Sequence, residues 1–208
     1  MILFAGQITA AAIGRRRGKA VDERERWNAR YAAQGERALA APNAFLRAHL
    51  AMLPKGTVLE LAMGEGHNAI FLAQHGFSVT GVDISDVAVA RALRLADITG
   101  VTIEARQADL STLTLPVDTY DVVACFHYLQ RNLLPQIVDA LRPGGMVIYE
   151  TFSREQAQHG HPTNPAYLLQ PNELLQTFQA LRIRVYRDVV VEGPQAVVSL
   201  IAEKISPL

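Results

Sequence analysis

The sequence holds a single cysteine, Cys125, among its 208 residues. That excludes an intramolecular disulfide and a multi-cysteine zinc cluster, and a reducing cytoplasm is the expected compartment. Net charge is missing too. Twenty Lys and Arg balance 20 Asp and Glu, so no overall field draws the chain onto nucleic acid or an anionic membrane. Long apolar runs are absent as well: the one in "MILFAGQITAAAIGRRRGK" is too short to span a bilayer, and its positive charges follow it instead of preceding it. No internal repeat, low-complexity tract or domain linker interrupts the chain.

What is present is an ordinary globular composition, 50% apolar and 19% charged, enough for one continuous core. Residues 1–21 read as a solvated, mobile N-terminal extension whose Arg15, Arg16, Arg17 and Lys19 sit beside the acidic "DERE". Residues 22–208 read as one domain with two leading helices, "DERERWNARYAAQ" and "PNAFLRAHLAML". Acids open the first, and Pro42 is placed in the first turn of the second, where proline is tolerated.

Beyond residue 56 the hydrophobic period alternates between two and about 3.6 residues. Strands are expected at 57–62, 77–83, 101–107, 120–126 and 146–152, with helices at 67–75, 86–98 and 132–141 and a loop over 108–119. Strands separated by helices must run parallel through right-handed crossovers, giving a doubly wound α/β sheet with ligands at the carboxyl ends of its strands. The tail breaks this rhythm. A helix near "QPNELLQTFQAL" precedes strands at 182–191 and 196–204, and Gly193-Pro194 between them predicts an antiparallel hairpin.

The chemistry is concentrated after the first strand. In "LELAMGEGHNA", Gly64, Gly66 and Ala69 satisfy G-x-G-x-x-(G/A), and Asp83 ends the next strand. Glycines let the backbone approach a ligand, the following helix adds a positive end, and a strand-end carboxylate accepts two ribose hydroxyls. Taken alone the motif fits NAD as well as other adenosine cofactors. Three features point away from NAD: Glu60 on the first strand favours a cationic ligand over a pyrophosphate, Asp109 in "ARQADL" is placed to accept from an adenine amine, and "LRPGGMVIYETF" joins a stopped helix directly to a strand before the terminal hairpin.

Together these segments resemble the class I S-adenosylmethionine-dependent methyltransferases over residues 27–204. "WNARY", "GEGHNAIFLAQHGFSVTGVDIS", "YLQRNLLPQIVDALRPGGMVIYETF" and "NPAYLLQPNELL" are similar to the small-molecule branch that includes tellurite-resistance and thiopurine-type enzymes. The resemblance implies a Rossmann-like, mostly parallel seven-stranded sheet with an antiparallel last strand, and S-adenosyl-L-methionine as cofactor. It further implies Glu60 and the Gly64–Gly66 loop near the methionine part, with Ala62 and Asn68 beside them. Asp83 and Ile84 would lie at the ribose, Asp109 and Leu110 near the adenine, and Phe126 at the end of strand four.

The chain departs from that family's Asp-x-Gly-Cys-Gly-x-Gly pattern. Glu60 lengthens the acidic arm, and Ala62 puts a methyl where the backbone nears the ligand. Such a methyl costs little in strand geometry and about 1 kcal/mol or more if the turn demands a glycine-only dihedral. Acceptor-side candidates cluster after strands four and five. His127 is a base or a hydrogen-bonded structural histidine. Arg131 is a bidentate clamp for an anionic substrate or a cap on a neighbouring helix. Tyr128, Thr151 and Phe152 face the crevice, and His159, with His161, belongs to a flexible lid over the acceptor. Cys125 should be buried and inert. Trp27 and Tyr31 share a helical face that covers the cofactor side or packs on the core.

The expected partner is a small-molecule methyl acceptor, with neither nucleic acid nor membrane involved. A macromolecule methyltransferase is the weaker rival, since "CFHYLQ" stands where an Asn/Asp-Pro-Pro-Tyr motif for planar amines would lie. A non-enzymatic cofactor-binding or scaffold protein is the other, raised by Ala62-Met63.

Overall fold

The computed structural model describes residues 23–35 and 37–205. The extension expected at 1–21 lies outside them. A first helix, α1, covers 23–33. The second, α2 (Ala44–His49), is capped by Asn43, whose Oδ1 accepts from the amides of Phe45 and Leu46 at 2.8 and 3.1 Å. Pro42 therefore precedes the cap instead of occupying the first turn, because Asn43 supplies the acceptor that the orphan amides need.

The alternating part follows as β1 (Thr57–Leu61), α3 (His67–Gln74), β2 (Ser78–Asp83), α4 (Asp86–Ile98), β3 (Glu104–Gln107), β4 (Tyr120–Phe126), α5 (Leu134–Ala140) and β5 (Leu141–Phe152). After them come α6 (Glu173–Thr177), β6 (Arg182–Val191) and β7 (Gln195–Glu203). The sheet has seven strands in the order β3-β2-β1-β4-β5-β7-β6. Only β7 runs antiparallel to its neighbours, inserted between β5 and β6.

Both faces of this sheet are covered, which is why its strands are nearly continuous apolar runs. Side chains of successive residues alternate between two cores. Leu59, Val123, Val147 and Leu200 join Ile137 of α5 and Phe178 on one face. Val58, Val122, Ile148 and Ile201 join Phe45 of α2, Ile70 of α3 and Leu95 of α4 on the other.

Three boundaries differ from the sequence expectation. β1 ends at Leu61 because Ala62 turns out of the strand with φ +53°. The edge strand β3 begins only at Glu104, where its pairing with Thr80 of β2 starts. β5 begins at Leu141, not Met146, since an irregularity opposite Tyr120 and Val122 absorbs Pro143-Gly144-Gly145 while keeping both ends paired to β4. Among the described residues, no helix is long and apolar enough to cross a membrane.

Candidate functional site

The sheet order reverses between β1 and β4, and a doubly wound fold opens its crevice at that point. A cavity of about 320 Å³ lies there, lined by Glu60, Ala62, Gly64, Asn68, Asp83, Ile84, Asp109, Leu110 and Phe126, with Met63, Glu65 and His67 beside them. Its walls come from four separate stretches, 60–68, 83–84, 109–110 and 126, which end or follow β1, β2, β3 and β4.

Glu60 is the most informative of these groups. Its side chain is 1% exposed, and Oε2 has no hydrogen-bond partner. Burial pushes its carboxyl up to about 8, against the opposing hydrogen bond from Asn68. A carboxylate held out of water with a free oxygen is costly unless a ligand donor or cation completes it. Its other oxygen, Oε1, accepts from Asn68 Nδ2 at 2.9 Å. Asn68 Oδ1 in turn accepts from the Asn43 amide at 2.7 Å, and Asn43 Nδ2 donates to Glu150 Oε1 at 2.7 Å. Glu150 is buried and held by Arg187 and Ser199 at 2.9 and 2.5 Å. Glu60 is thus aimed by a polar chain that crosses from β1 to β6.

Asp83 anchors the loop itself. Its Oδ2 accepts from the Gly64 amide at 2.8 Å and its Oδ1 from the Ser85 amide at 2.9 Å. Each carboxylate oxygen keeps a second lone pair for a ligand hydroxyl. Burial raises the Asp83 pKa, opposed by those backbone donors. Gly64 has φ +57°, and a β-carbon there would lie 2.8 Å from the Tyr31 hydroxyl oxygen, so a side chain at this position is strained and displaces the tip of Tyr31. Gly66 does not line the cavity. Its φ is +76°, and a β-carbon would meet Ala92 of α4 at 2.8 Å, so its constraint is packing of the loop on α4.

The Ala62-Met63 departure now has a physical account. Ala62 adopts a left-handed φ of +53°, which costs an L-residue about 1–2 kcal/mol. Met63 turns the other way into the core, 6% exposed, with its sulfur over Gly81 of β2, and its amide donates to Val82 O at 3.0 Å. The Ala62→Gly variant is therefore expected to gain about 0.5–1 kcal/mol in stability. A higher denaturant midpoint at unchanged slope would register it.

Helix α1 covers the cavity. Asn28 accepts from the hydroxyl of Ser85, the α4 cap, at 2.6 Å and donates to Asp86 at 2.5 Å. Beneath the loop, Arg91 of α4 reaches Glu65 at 2.8 Å, with both side chains buried. Neither contact was anticipated. A signal existed for the second: Arg91 sits on the Ala88-Ala92-Leu95 stripe of α4, where a charge needs a buried partner. Asn43, Glu150 and Arg187 carried no comparable mark.

Beyond Phe126 lies a second, larger cavity of about 660 Å³, which shares Glu23, Trp27, His127 and Tyr128 with the first. His127 has φ +56°, its amide donates to Glu150 O at 2.8 Å, and its ring stacks on Phe152 at 5.1 Å. The ring is open to the cavity, but the surrounding protein lowers its pKa by desolvation, against the attraction of Glu150. Cys125 is fully buried, and burial pushes its thiol up to about 12, leaving it protonated and unreactive.

On the acceptor side, the two alternatives for Arg131 are decided and the expectations for Thr151 and His159 are corrected. Arg131 lines neither cavity: its fork is taken by Glu173 at 2.6 and 3.0 Å and by the carbonyls of Ala166 and Leu168 at 3.0 and 2.9 Å, so it ties the 166–173 segment to the end of β4. Thr151 is 1% exposed within β5, paired opposite Val198, and does not reach the crevice. His159 is exposed and turned away, and His161 takes the place on the cavity wall that had been expected for it.

A sheet of this order, with acidic side chains converging on a cleft at its switch point and a second cleft alongside, defines a Rossmann-like α/β domain. Residues 58–145 match the methyltransferase-domain family. Among curated relatives, hemagglutinin 1 of Eikenella corrodens is 36% identical over 94 residues, covering 42% of this chain and 31% of that protein. A ubiquinone biosynthesis O-methyltransferase of Coxiella burnetii is 28% identical over 102 residues, 47% of this chain and 44% of that one. The chain thus matches less than half the length of either relative.

Solved structures agree on the fold. One from echinomycin biosynthesis, where a disulfide bond becomes a thioacetal group, superposes with a TM-score of 0.69 at 21% identity, over 88% of this chain and 92% of that one. TehB from Haemophilus influenzae gives 0.65 at 16% identity, over 78% and 62%.

Proposed function

We propose that this chain transfers a methyl group from S-adenosyl-L-methionine to a small-molecule acceptor. The observation that carries the reading is Glu60 Oε2, buried and without a partner in the smaller cavity. A ligand carrying an ammonium group beside a sulfonium completes it, and a dinucleotide pyrophosphate does not. In this reading Glu60 holds the ammonium, Asp83 the ribose hydroxyls and Asp109 the adenine amine, while Ile84, Leu110 and Phe126 form apolar walls. The names of the Coxiella relative and of the methyltransferase family support it.

Bound there, the cofactor supplies an electrophilic methyl carbon whose bonding pair leaves with the sulfur. What remains for the protein is alignment, exclusion of water and removal of any proton on the acceptor. Trp27 and Tyr128 line both cavities and set the approach between them. His127, on the same shared wall and with its pKa lowered, is neutral at pH 7 and accepts the proton of an acceptor hydroxyl. Calorimetric titration with S-adenosylmethionine, S-adenosylhomocysteine and NAD tests the reading. Saturable binding of the first two and none of NAD is expected, and failure of both adenosyl ligands to bind would overturn it.

A further inference from the structure

We infer that the acceptor cavity takes a flat aromatic acid, a ring of one or two cycles bearing a carboxylate or comparable anion. This rests on the methyl-transfer reading for its reaction but on different residues for its chemistry. The cavity of about 660 Å³ falls within the about 300–1,000 Å³ usual for small-molecule sites. Its walls are rings: Trp27, Tyr128, Phe152 and Tyr167 line it, and the His127 ring lies on Phe152 with only 19° between planes. Such surfaces favour the face of a planar ligand over a branched aliphatic one.

Charge selects further. Arg26 and Arg30 line the same cavity, with their guanidinium carbons 5.7 and 5.0 Å from the Trp27 ring centroid. Arg26 shares its charge with Glu23 at 3.6 Å, while the Arg30 guanidinium rests over the Trp27 ring. A guanidinium fork already stacked on an aromatic ring is preorganised to bind a carboxylate attached to a second ring. A cationic acceptor meets two arginines against one glutamate, so amines are disfavoured. In this placement the anion lies at α1 and the opposite edge of the ligand faces His127, so a hydroxyl on that edge is the group methylated: its oxygen takes the methyl and its proton passes to the His127 imidazole.

The chain contains one tryptophan, and it is Trp27, which lines both cavities, so intrinsic fluorescence with S-adenosylhomocysteine already present reports what enters the larger one. Titration with 4-hydroxybenzoate, its neutral methyl ester and cyclohexanecarboxylate is the experiment, with S-adenosylhomocysteine binding followed by calorimetry on the same protein. The acid is expected to quench saturably and to bind about tenfold more tightly than either comparator. Arg30→Gln should abolish the advantage of acid over ester while leaving the ester's affinity unchanged. Equal affinities for acid and ester, or an Arg30→Gln variant that keeps the difference, overturn the inference even if S-adenosylhomocysteine binds. Loss of S-adenosylhomocysteine binding with the acid preference intact overturns the methyl-transfer reading and leaves the ligand class standing.

Discussion

Replacing Asp83 with alanine is expected to weaken S-adenosylhomocysteine binding by about 3 kcal/mol, roughly a hundredfold. Two losses combine. In the proposed reading the carboxylate accepts from the ligand's ribose, and it also fastens the loop through Gly64 and Ser85 at 2.8 and 2.9 Å. Those bonds are charge-assisted, and without them a turn held at positive φ at both Ala62 and Gly64 loses its side-chain anchor to β2 and keeps the backbone bond from Met63 to Val82 O. Asp83→Asn keeps one acceptor oxygen and should fall between alanine and the parent protein. Calorimetry on the three proteins checks the order. Unchanged affinity in the alanine variant would mean that the ribose is held elsewhere.

Cofactor binding should also release a proton at neutral pH, and its affinity should rise by up to about tenfold per pH unit between roughly pH 5.5 and 7. The cause is Glu60, whose carboxyl burial pushes up to about 8 in the ligand-free protein. Only its ionised form holds an ammonium group, so a proton must leave as the ligand enters, and the requirement fades as the pH approaches 8. Titrations in buffers of different ionisation enthalpy count that proton. Glu60→Gln should abolish both the release and the slope.

The same shift sets a stability profile of definite sign. Glu60 titrates higher in the folded than in the unfolded chain, so the folded state binds more protons between the ordinary carboxyl value of 4.5 and about 8. Its contribution is full below the lower value and is lost as the pH rises through the upper one. The ligand-free protein should therefore lose stability from pH 5 to 8, by on the order of 2–4 kcal/mol, and Glu60→Gln should flatten that fall. Chemical denaturation at several pH values reads it. A flat profile in the parent protein, with no proton released on binding, would remove Glu60 from the ligand's ammonium.

Much of the fold was legible from local signals. Short, nearly continuous apolar runs marked β1, β2 and β4, since strands buried on both faces need apolar residues at consecutive positions. Gly193-Pro194 marked the β6–β7 hairpin, and the order of strands and helices required parallel crossovers. The cofactor-side residues were legible for the same reason: loops after the strands of a doubly wound sheet converge, so Glu60, Gly64, Asp83 and Asp109 could be read from position along the chain. The acceptor side resisted. Arg131 read equally as a substrate clamp or a helix cap until the chain returned with Glu173, 42 residues later, to occupy its fork. His159 and His161 were indistinguishable by spacing, and only the path of their loop put the second on the wall.

The sequence by itself determined the parallel character of β1 to β5, the hairpin at the end and the stretches that meet in the cleft, because periodicity, turn residues and strand ends are properties of neighbours along the chain. Tertiary structure alone decided the fate of Ala62 and Met63. Ala62 accepts a left-handed turn because Met63 finds room over Gly81 and its amide meets Val82 O at 3.0 Å. It also decided that Glu60 keeps one oxygen free, since its other oxygen is held by Asn68, which Asn43 and Glu150 hold in turn from distant parts of the chain. A side chain's last hydrogen bond depends on what folds back against it, and no local pattern encodes that.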